Sequence, residues 1–359
     1  MSLFFLRFAE ICAWLNVLKG VAMNISSGEK SGGKTLCVYH GASGPSFQDC
    51  VFLGQRYREQ WGDNPDDSDY WALGNRPAGP DDTTTTLLFS WKDWLTGIWR
   101  SPDGTVYVSD ATIEGVHKYV DIFDVERPPE DFPLGVALEG IWGLHDKQVF
   151  TWGTRKSTSG EMEWPVFCFD GNSWTEMPMP GFPVMAMHGL TVDSVIAVGF
   201  HGSICLWNGS KWEPLASPTV EVLNSVFVVS PDEVYACGGN GSLLRGSLRD
   251  WQTVAKMPEG MSSYGVAKFK DQVYVAGGSL GLFRWEAGAN ELEFFKENIR
   301  ATSFDTREDL VITADNLIAG TTDNLHFSGC AIDTLCKMTA EKDIIGWEDH
   351  LPPSGPEPT

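Results

Sequence analysis

Carboxylates are the side chains most able to do chemistry in this chain, and they gather in two stretches. Between Trp61 and Asp82 six acids (Asp63, Asp66, Asp67, Asp69, Asp81, Asp82) stand against Arg76 alone. Between Asp121 and Asp131 five more (Asp121, Asp124, Glu126, Glu130, Asp131) stand against Arg127. Two positioned carboxylates could cleave a glycoside, but with 48 acids in the chain any pair can be nominated, so nomination decides nothing. An Asp-rich loop could hold calcium, yet the ligand order over 63–69 does not match an EF-hand. The remaining chemistry is docking: acidic loops with Trp61, Tyr70, Trp71 and Phe123 as aromatic anchors. The bland alternative is a pair of solvated loops that keep the protein soluble.

Other chemistry-bearing residues point nowhere in particular. The seven histidines include no pair at metal-ligand spacing and no His-Glu-x-x-His, and His145, His188 and His201 are expected at turns. None of the eight cysteines forms a Cys-x-x-Cys pair, and Cys168, Cys205 and Cys237 sit in apolar runs. They read as buried thiols of a reducing cytoplasm. Ser31-Gly32-Gly33-Lys34 lacks the earlier spaced glycine of a phosphate loop and reads as linker. Neither a metal, a cofactor nor a catalytic residue is expected.

The net charge of −22, from 48 acids and 26 bases, argues against nucleic acid and against anionic membranes, both of which need Lys/Arg at the contact. It suits a basic protein partner. Hydrophobic residues at 42% exclude a wholly disordered chain. The apolar leader from Met1 to Ala22 is interrupted by Arg7 and Glu10 and lacks an Ala-x-Ala site, so it reads as an upstream start or an added amphipathic helix rather than a signal or a span. Residues 1–33 are thus leader and linker, and 341–359, rich in proline and acid, a tail extension.

The elements that must position those loops are repeated. A short apolar run starts at 106, 149, 195, 234, 273 and 311, at intervals of 38 to 46 residues, as in Val234-Tyr235-Ala236-Cys237-Gly238 and Val273-Tyr274-Val275-Ala276-Gly277. A polar turn precedes each run (Pro102-Asp103-Gly104, His145-Asp146-Lys147, Pro231-Asp232-Glu233), and an apolar strand lies upstream of it, as in Gly97-Ile98-Trp99 and Gly140-Ile141-Trp142. A third strand and an aromatic fourth follow, the latter after turns such as Asp170-Gly171-Asn172-Ser173-Trp174. Four antiparallel strands per unit mark propeller blades, and the recurrent Trp reads as a wedge between blades rather than a sugar platform. Six units are legible. Residues 34–92 carry four more strand-like runs, so the expected fold is an all-β, seven-bladed propeller over 34–340, with six blades as the alternative. Ring closure predicts that the N-terminal strands pair with chain near Leu317–Phe327.

The Val-Tyr-Val-Ala-Gly-Gly and Asp-Gly-Asn-Ser-Trp elements over about residues 96–320 resemble bacterial propellers of the kelch and BNR/Asp-box kinds. The Asp-box is degenerate here, and the kelch double glycine occurs only at Gly238-Gly239 and Gly277-Gly278. Some immunity proteins of polymorphic or type VI secreted toxins are similar to such degenerate propellers. That resemblance implies a cytoplasmic, non-enzymatic monomer that covers the basic groove of a toxin, such as a nuclease, in a heteromeric complex. The partner contacts expected are Trp61, Asp63, Asp66, Asp67, Asp69, Tyr70, Asp121, Phe123, Asp124, Glu126, Glu130 and Asp131. A sialidase-like or glycan-binding propeller is the second expectation, although that family's Phe-Arg-Ile-Pro signature is absent. It requires a concave pocket at the channel mouth, lined by aromatics and an arginine. An assembly or scaffolding factor is the third.

Overall fold

Runs such as Val106-Tyr107-Val108 are apolar on consecutive residues, which a strand tolerates only when both its faces are buried. A computed structural model meets that demand by standing seven sheets on edge around a ring; it describes residues 35–58, 69–79, 82–91, 94–258 and 261–331. Leader, tail and most of the first acidic stretch fall outside those residues, and among the described ones no helix is long and apolar enough to cross a membrane.

Blade 1 is β1 (Thr35–Ser46), β2 (Asp49–Arg58), β3 (Asp69–Pro77) and β4 (Thr83–Trp91). Blade 2 is β5 (Leu95–Arg100), β6 (Val106–Asp110), β7 (Gly115–Tyr119) and β8 (Glu130–Pro133). Blade 3 holds β9 (Ala137–His145), β10 (Gln148–Lys156), β11 (Met162–Glu163), β12 (Val166–Phe169) and β13 (Trp174–Glu176), with β11 a short addition on the end of β10. Blade 4 is β14 (Val184–Thr191), β15 (Ser194–Gly199), β16 (Ile204–Trp207) and β17 (Trp212–Leu215). Blade 5 is β18 (Leu223–Ser230), β19 (Glu233–Gly238), β20 (Ser242–Gly246) and β21 (Trp251–Lys256). Blade 6 is β22 (Gly265–Phe269), β23 (Gln272–Ala276), β24 (Leu282–Trp285) and β25 (Glu293–Lys296). Blade 7 is β26 (Ala301–Thr306), β27 (Leu310–Ala314), β28 (Leu317–Thr321) and β29 (Ser328–Ala331). Each sheet is an antiparallel meander in chain order, and the six landmark runs are the second strands of blades 2 to 7.

Seven hydrophobic clusters fill the seven gaps between blades. Alternation along a strand decides which gap a side chain enters. Val51 and Leu53 join blade 2 residues Ile98 and Val108, whereas Cys50 and Phe52, on the other face of β2, join blade 7 residues Val311 and Ile318. Trp207 and Trp212 enter the gap between blades 3 and 4, and Trp285 that between 5 and 6, so the repeated Trp is a wedge. Each such burial contributes roughly 1.5–3 kcal/mol. The described cysteines are free thiols, and Cys50, Cys205, Cys237 and Cys330 are buried.

First strands of neighbouring blades run side by side in one direction, Gly41 beside Ile98, Gly97 beside Ile141 and Gly265 beside Ser303. The turns from first to second and from third to fourth strands therefore share one face of the ring, here called lower. The turns from second to third strands and the links between blades lie on the upper face. Six of the seven first strands carry a bulge in their upper half, at His40, Thr96, Glu139, Met185, Asn224 and Thr302, in four of them one residue from the strand's start. A bulge bends and twists its strand, and here Thr96 and Thr302 turn their hydroxyls onto the carbonyls of Ser109 and Thr313 opposite.

Ring closure departs from expectation. Blade 1 and blade 7 each own four strands, so none is left to share, and β28 pairs only with β27 and β29. A polar clasp joins them instead. Asp305 accepts from the Ser43 hydroxyl at 2.8 Å and the Gly44 N–H at 3.0 Å. Arg307 pairs with Asp305 at 3.0 Å and donates to the carbonyl of Arg100, while Arg100 pairs with Asp49 at 2.6 Å. Blades 7, 1 and 2 are thus stitched together along the lower face.

Candidate functional site

The lower face collects the acids. Every turn between first and second strands carries an aspartate in it or beside it: Asp49, Asp103, Asp146, Asp193, Asp232, Asp271 and Asp309. A tight turn favours aspartate because its carboxylate can cap nearby N–H groups; the seven turns on this face set carboxylates around the channel mouth. Asp103, Asp193, Asp232 and Asp271 are exposed, whereas Asp309 is buried and Asp49 is committed to Arg100.

Residues 120–129, between β7 and β8, emerge on the same face and fold back over blade 1. Ile122 is buried in the gap between blades 1 and 2. The Phe123 ring lies where a Cβ on Gly74 would stand, so only glycine at 74 leaves room for it. Arg76 stacks on that ring at 3.7 Å and reaches Asp121 at 3.8 Å. Asp121 also accepts the Phe123 N–H at 3.0 Å, fixing the start of the loop. Phe123 is therefore the loop's anchor to its own protein, and Asp124 and Glu126 are left exposed.

The other two acids of this stretch are partly spent internally. Glu130 pairs with Lys118 at 3.1 Å. Asp131 holds Nδ1 of His117 at 2.7 Å, while the fully buried Asp110 holds Nε2 at 3.2 Å. Burial alone would lower the pKa of this imidazole, but the hydrogen bonds it donates to Asp110 and Asp131 reverse that and raise it to about 9. His117 is a structural imidazolium.

Of the first acidic stretch only the flanks are described, and Asp82, in the turn before β4, lies at the lower face. Trp61, Asp63, Asp66 and Asp67 lie outside the described residues, as does Asp81, and the side chain of Asp69 is not described. The segment joins β2 to β3, however, and Arg58 and Asp69 at its two ends lie at the upper face. The segment carrying Asp63, Asp66 and Asp67 is thus attached at the face opposite to residues 120–129, whereas Asp82 shares their face. Tyr70 is a correction of a different kind: it is 1% exposed, packed between blades 1 and 2, and cannot touch a partner. Trp71 is buried on the opposite side of the same strand.

Inside the ring of aspartates, the channel mouth holds an arc absent from the sequence reading. Trp142, His188 and Phe227 sit on the first strands of blades 3, 4 and 5, with ring centroids 5.1 and 4.7 Å apart. His188, expected at a turn, lies in β14 and accepts the Val228 N–H through Nδ1 at 3.1 Å. Burial pushes its pKa down to about 4, so it is neutral. Equivalent places in three units held the signal: Trp142 and Phe227 end first-strand runs, and His188 shares their position. Beside the arc, Phe227, Phe269, Lys268, Lys270, Arg307 and Glu308 line a concavity of about 480 Å³. Lys268 is bound to Glu233 at 2.7 Å and Arg307 to Asp305, so this cationic corner is internally balanced. Among the described residues no group of three His, Cys, Asp or Glu side chains could hold a metal ion.

Geometry and topology together define a seven-bladed β-propeller with an acidic lower face. No protein-family model matches the chain, and no curated protein matches it. Solved structures do. The WD40 β-propeller domain of Doa1 aligns with TM-score 0.61 at 11% identity, over 82% of this chain and 96% of that one. YCF48 bound to D1 peptide aligns at 0.53 and 12% identity, over 81% and 97%. A catalytically inactive virginiamycin B lyase from Staphylococcus aureus, with quinupristin, aligns at 0.51 and 13% identity, over 73% and 89%. At such identities the likeness is one of fold. It reaches WD40 domains and an enzyme alike, and none of the three is described as a kelch, BNR or immunity protein.

Proposed function

We propose that this propeller is a non-enzymatic binding module whose lower face takes a basic protein partner. The observation behind the reading is the placement of the ring of turn aspartates and the clamped 120–129 loop on one rigid face. Rigid carboxylates steer a basic partner and disfavour acidic ones without an ordering cost at contact. The most concrete partner is an antibacterial toxin, such as a nuclease with a basic substrate groove, with this chain as its cytoplasmic immunity protein; charge complementarity alone supports that version. An assembly or scaffolding role would use the same face on a different partner, and YCF48, a propeller of similar fold, is described with a bound peptide.

The test is co-purification with the product of the adjacent gene across a salt series. Reversing Asp121, Asp124 and Glu126 to lysine should weaken capture and flatten its salt dependence; capture unchanged by those reversals would remove the reading. Protection of cells from a neighbouring toxin separates immunity from scaffolding.

One observation favours a second reading. The channel-mouth concavity has the aromatics and the arginine that a glycan site needs, in Phe227, Phe269 and Arg307. Binding on a glycan array that Phe227→Ala abolishes would favour it over the protein partner.

A further inference from the structure

Two of the seven first strands lack a ring where the other five carry one. Trp99, Trp142, His188, Phe227 and Phe304 occupy one equivalent place, each opposite the second residue of its blade's apolar run. Blades 1 and 6 have alanine there, Ala42 opposite Phe52 and Ala267 opposite Tyr274. With no ring on blade 6 to cross the gap, the concavity of about 480 Å³ opens between the lower ends of blades 5, 6 and 7. A hollow of that size suits a small ligand.

Three cations line this hollow, Lys268, Lys270 and Arg307, in a chain with 48 acids and 26 bases. Glu233 holds the Lys268 ammonium at 2.7 Å, and Asp305 holds Nε and Nη2 of Arg307 at 3.3 and 3.0 Å. Those bonds fix the two side chains without spending all their donors. An ammonium has three N–H groups, and Nη1 of Arg307 takes part in neither bond to Asp305. Lys270 makes no ion pair among the described residues; its ammonium lies 5.4 Å from the centre of the Phe269 ring and donates to the Thr322 carbonyl. Its backbone stands at φ 54°, a left-handed conformation that favours glycine or asparagine. What lysine supplies there and glycine would not is a charge at the rim. The balance favours one negative charge in a ligand: Lys268 and Arg307 are matched already, Lys270 is not, and exposed Glu308 repels a second.

We propose that this hollow binds a monocarboxylate with an apolar body, the carboxylate among Lys270 and the spare donors of Lys268 and Arg307, the body against Phe227. Charge-assisted hydrogen bonds fix the acid end, and apolar area removed from water holds the other. Two sources share that chemistry: a free organic acid, and the carboxyl end of a peptide with an apolar last residue. The site rests on the second reading above for a ligand at the channel mouth, and replaces the neutral sugar by an acid. It owes nothing to the basic-partner reading, which concerns the exposed acids of the same face.

The probe is phenylacetate, titrated onto the full chain by ligand-observed NMR and calorimetry. Saturable binding is expected, with a Kd on the order of a millimolar for so small a ligand. Phenylacetamide, of the same shape without the charge, should bind at least about tenfold more weakly. Phenyl phosphate should also bind more weakly than phenylacetate. Lys270→Gly removes the charge and relaxes the positive φ, so it should fold at least as stably as the wild type while losing about tenfold in affinity. Lys270→Gln, which keeps the stem, should lose as much. No binding of phenylacetate, equal binding of the amide, or full affinity in both Lys270 variants overturns the site. Tighter binding of phenyl phosphate overturns the single charge. A neutral oligosaccharide that binds where phenylacetate does not overturns the acid and restores the sugar. Binding of neither, with partner capture intact, removes both ligands and leaves the lower-face reading standing. An acetylated peptide ending in phenylalanine separates the two sources: displacement of phenylacetate by its free acid and not by its amide supports the peptide end, and displacement by neither supports the free organic acid.

Discussion

Two histidines, two blades apart and both shielded from water, show how the same side chain takes opposite protonation states in one scaffold. His117 lies in the outer half of blade 2 between two carboxylates and is held protonated, with its pKa raised to about 9. His188 lies at the channel in blade 4 between Trp142 and Phe227 and is held neutral, with its pKa lowered to about 4. Burial pushes both downward. What separates them is whether a hydrogen-bonding carboxylate is in reach, and that is set by which strands the blade brings side by side: Asp110, His117 and Asp131 come from β6, β7 and β8. An acidic chain therefore uses some of its carboxylates to hold itself together, and an excess of acid in the sequence overstates what is offered to a partner.

The contrast predicts two limbs in the pH dependence of stability. For His117 the folded pKa is above its ordinary value of 6.5, so its stabilisation is complete below pH 6.5 and is lost as pH rises through about 9. That difference corresponds to about 3 kcal/mol. His117→Gln should remove this alkaline decline and lower stability at neutral pH by a comparable amount, read from urea midpoints across the pH series. His188 has the opposite sign: its contribution is present above pH 6.5 and is lost as pH falls towards 4. Because its ring borders the channel and is only partly buried, we expect about 1–2 kcal/mol there. His188→Phe should flatten the acid limb in the same titration and leave the alkaline one unchanged. A mutant that alters both limbs would mean that the two sites are coupled and the contrast is false.

A smaller change sharpens the comparison within blade 2. Asp131 is 55% exposed on its side chain, so water already screens its bond to His117. Asp131→Asn should cost about 1 kcal/mol and shift the alkaline limb to lower pH, with Asp110 still in place. The same variant should change partner capture less than Asp124→Asn does, because Asp131 is engaged with His117 whereas Asp124 points to solvent.

The scaffold was legible because a propeller writes its second strands as apolar runs at a fixed spacing, and Val106, Val149, Val195, Val234, Val273 and Val311 each begin or sit at the start of one. Even the irregular N-terminal blade showed its four runs. The site was less legible, for reasons that differ from residue to residue. Tyr70 looked like an anchor because aromatics beside acids mark interfaces, but its strand is a third strand, buried on both faces. Strand parity could have separated the two acidic stretches, since one follows a second strand and the other a third, and those end on opposite faces. Closure through Asp305, Arg307 and Ser43 had no signal at all: these residues lie some 260 positions apart and meet only in the finished ring.

The smallest effect concerns the clamp that makes the 120–129 loop a surface instead of a tether. Arg76 is half-exposed where it covers Phe123 and reaches Asp121, so the pair and the stacking together are worth less than about 1 kcal/mol. Arg76→Ala should therefore leave the thermal midpoint nearly unchanged. Its effect belongs to the loop: amide hydrogen exchange over residues 120–129 should quicken while the protection of β6 and β7 holds, since Ile122 still anchors the base of the loop. Gly74→Ala tests the same clamp from the other side, because its Cβ would meet the Phe123 ring at 2.4 Å and must displace it. If both variants loosen the loop and both slow partner association, rigidity is part of how the lower face binds. If they loosen it and association is unchanged, charge alone suffices, and the folded-back geometry serves only to cover the end of blade 1.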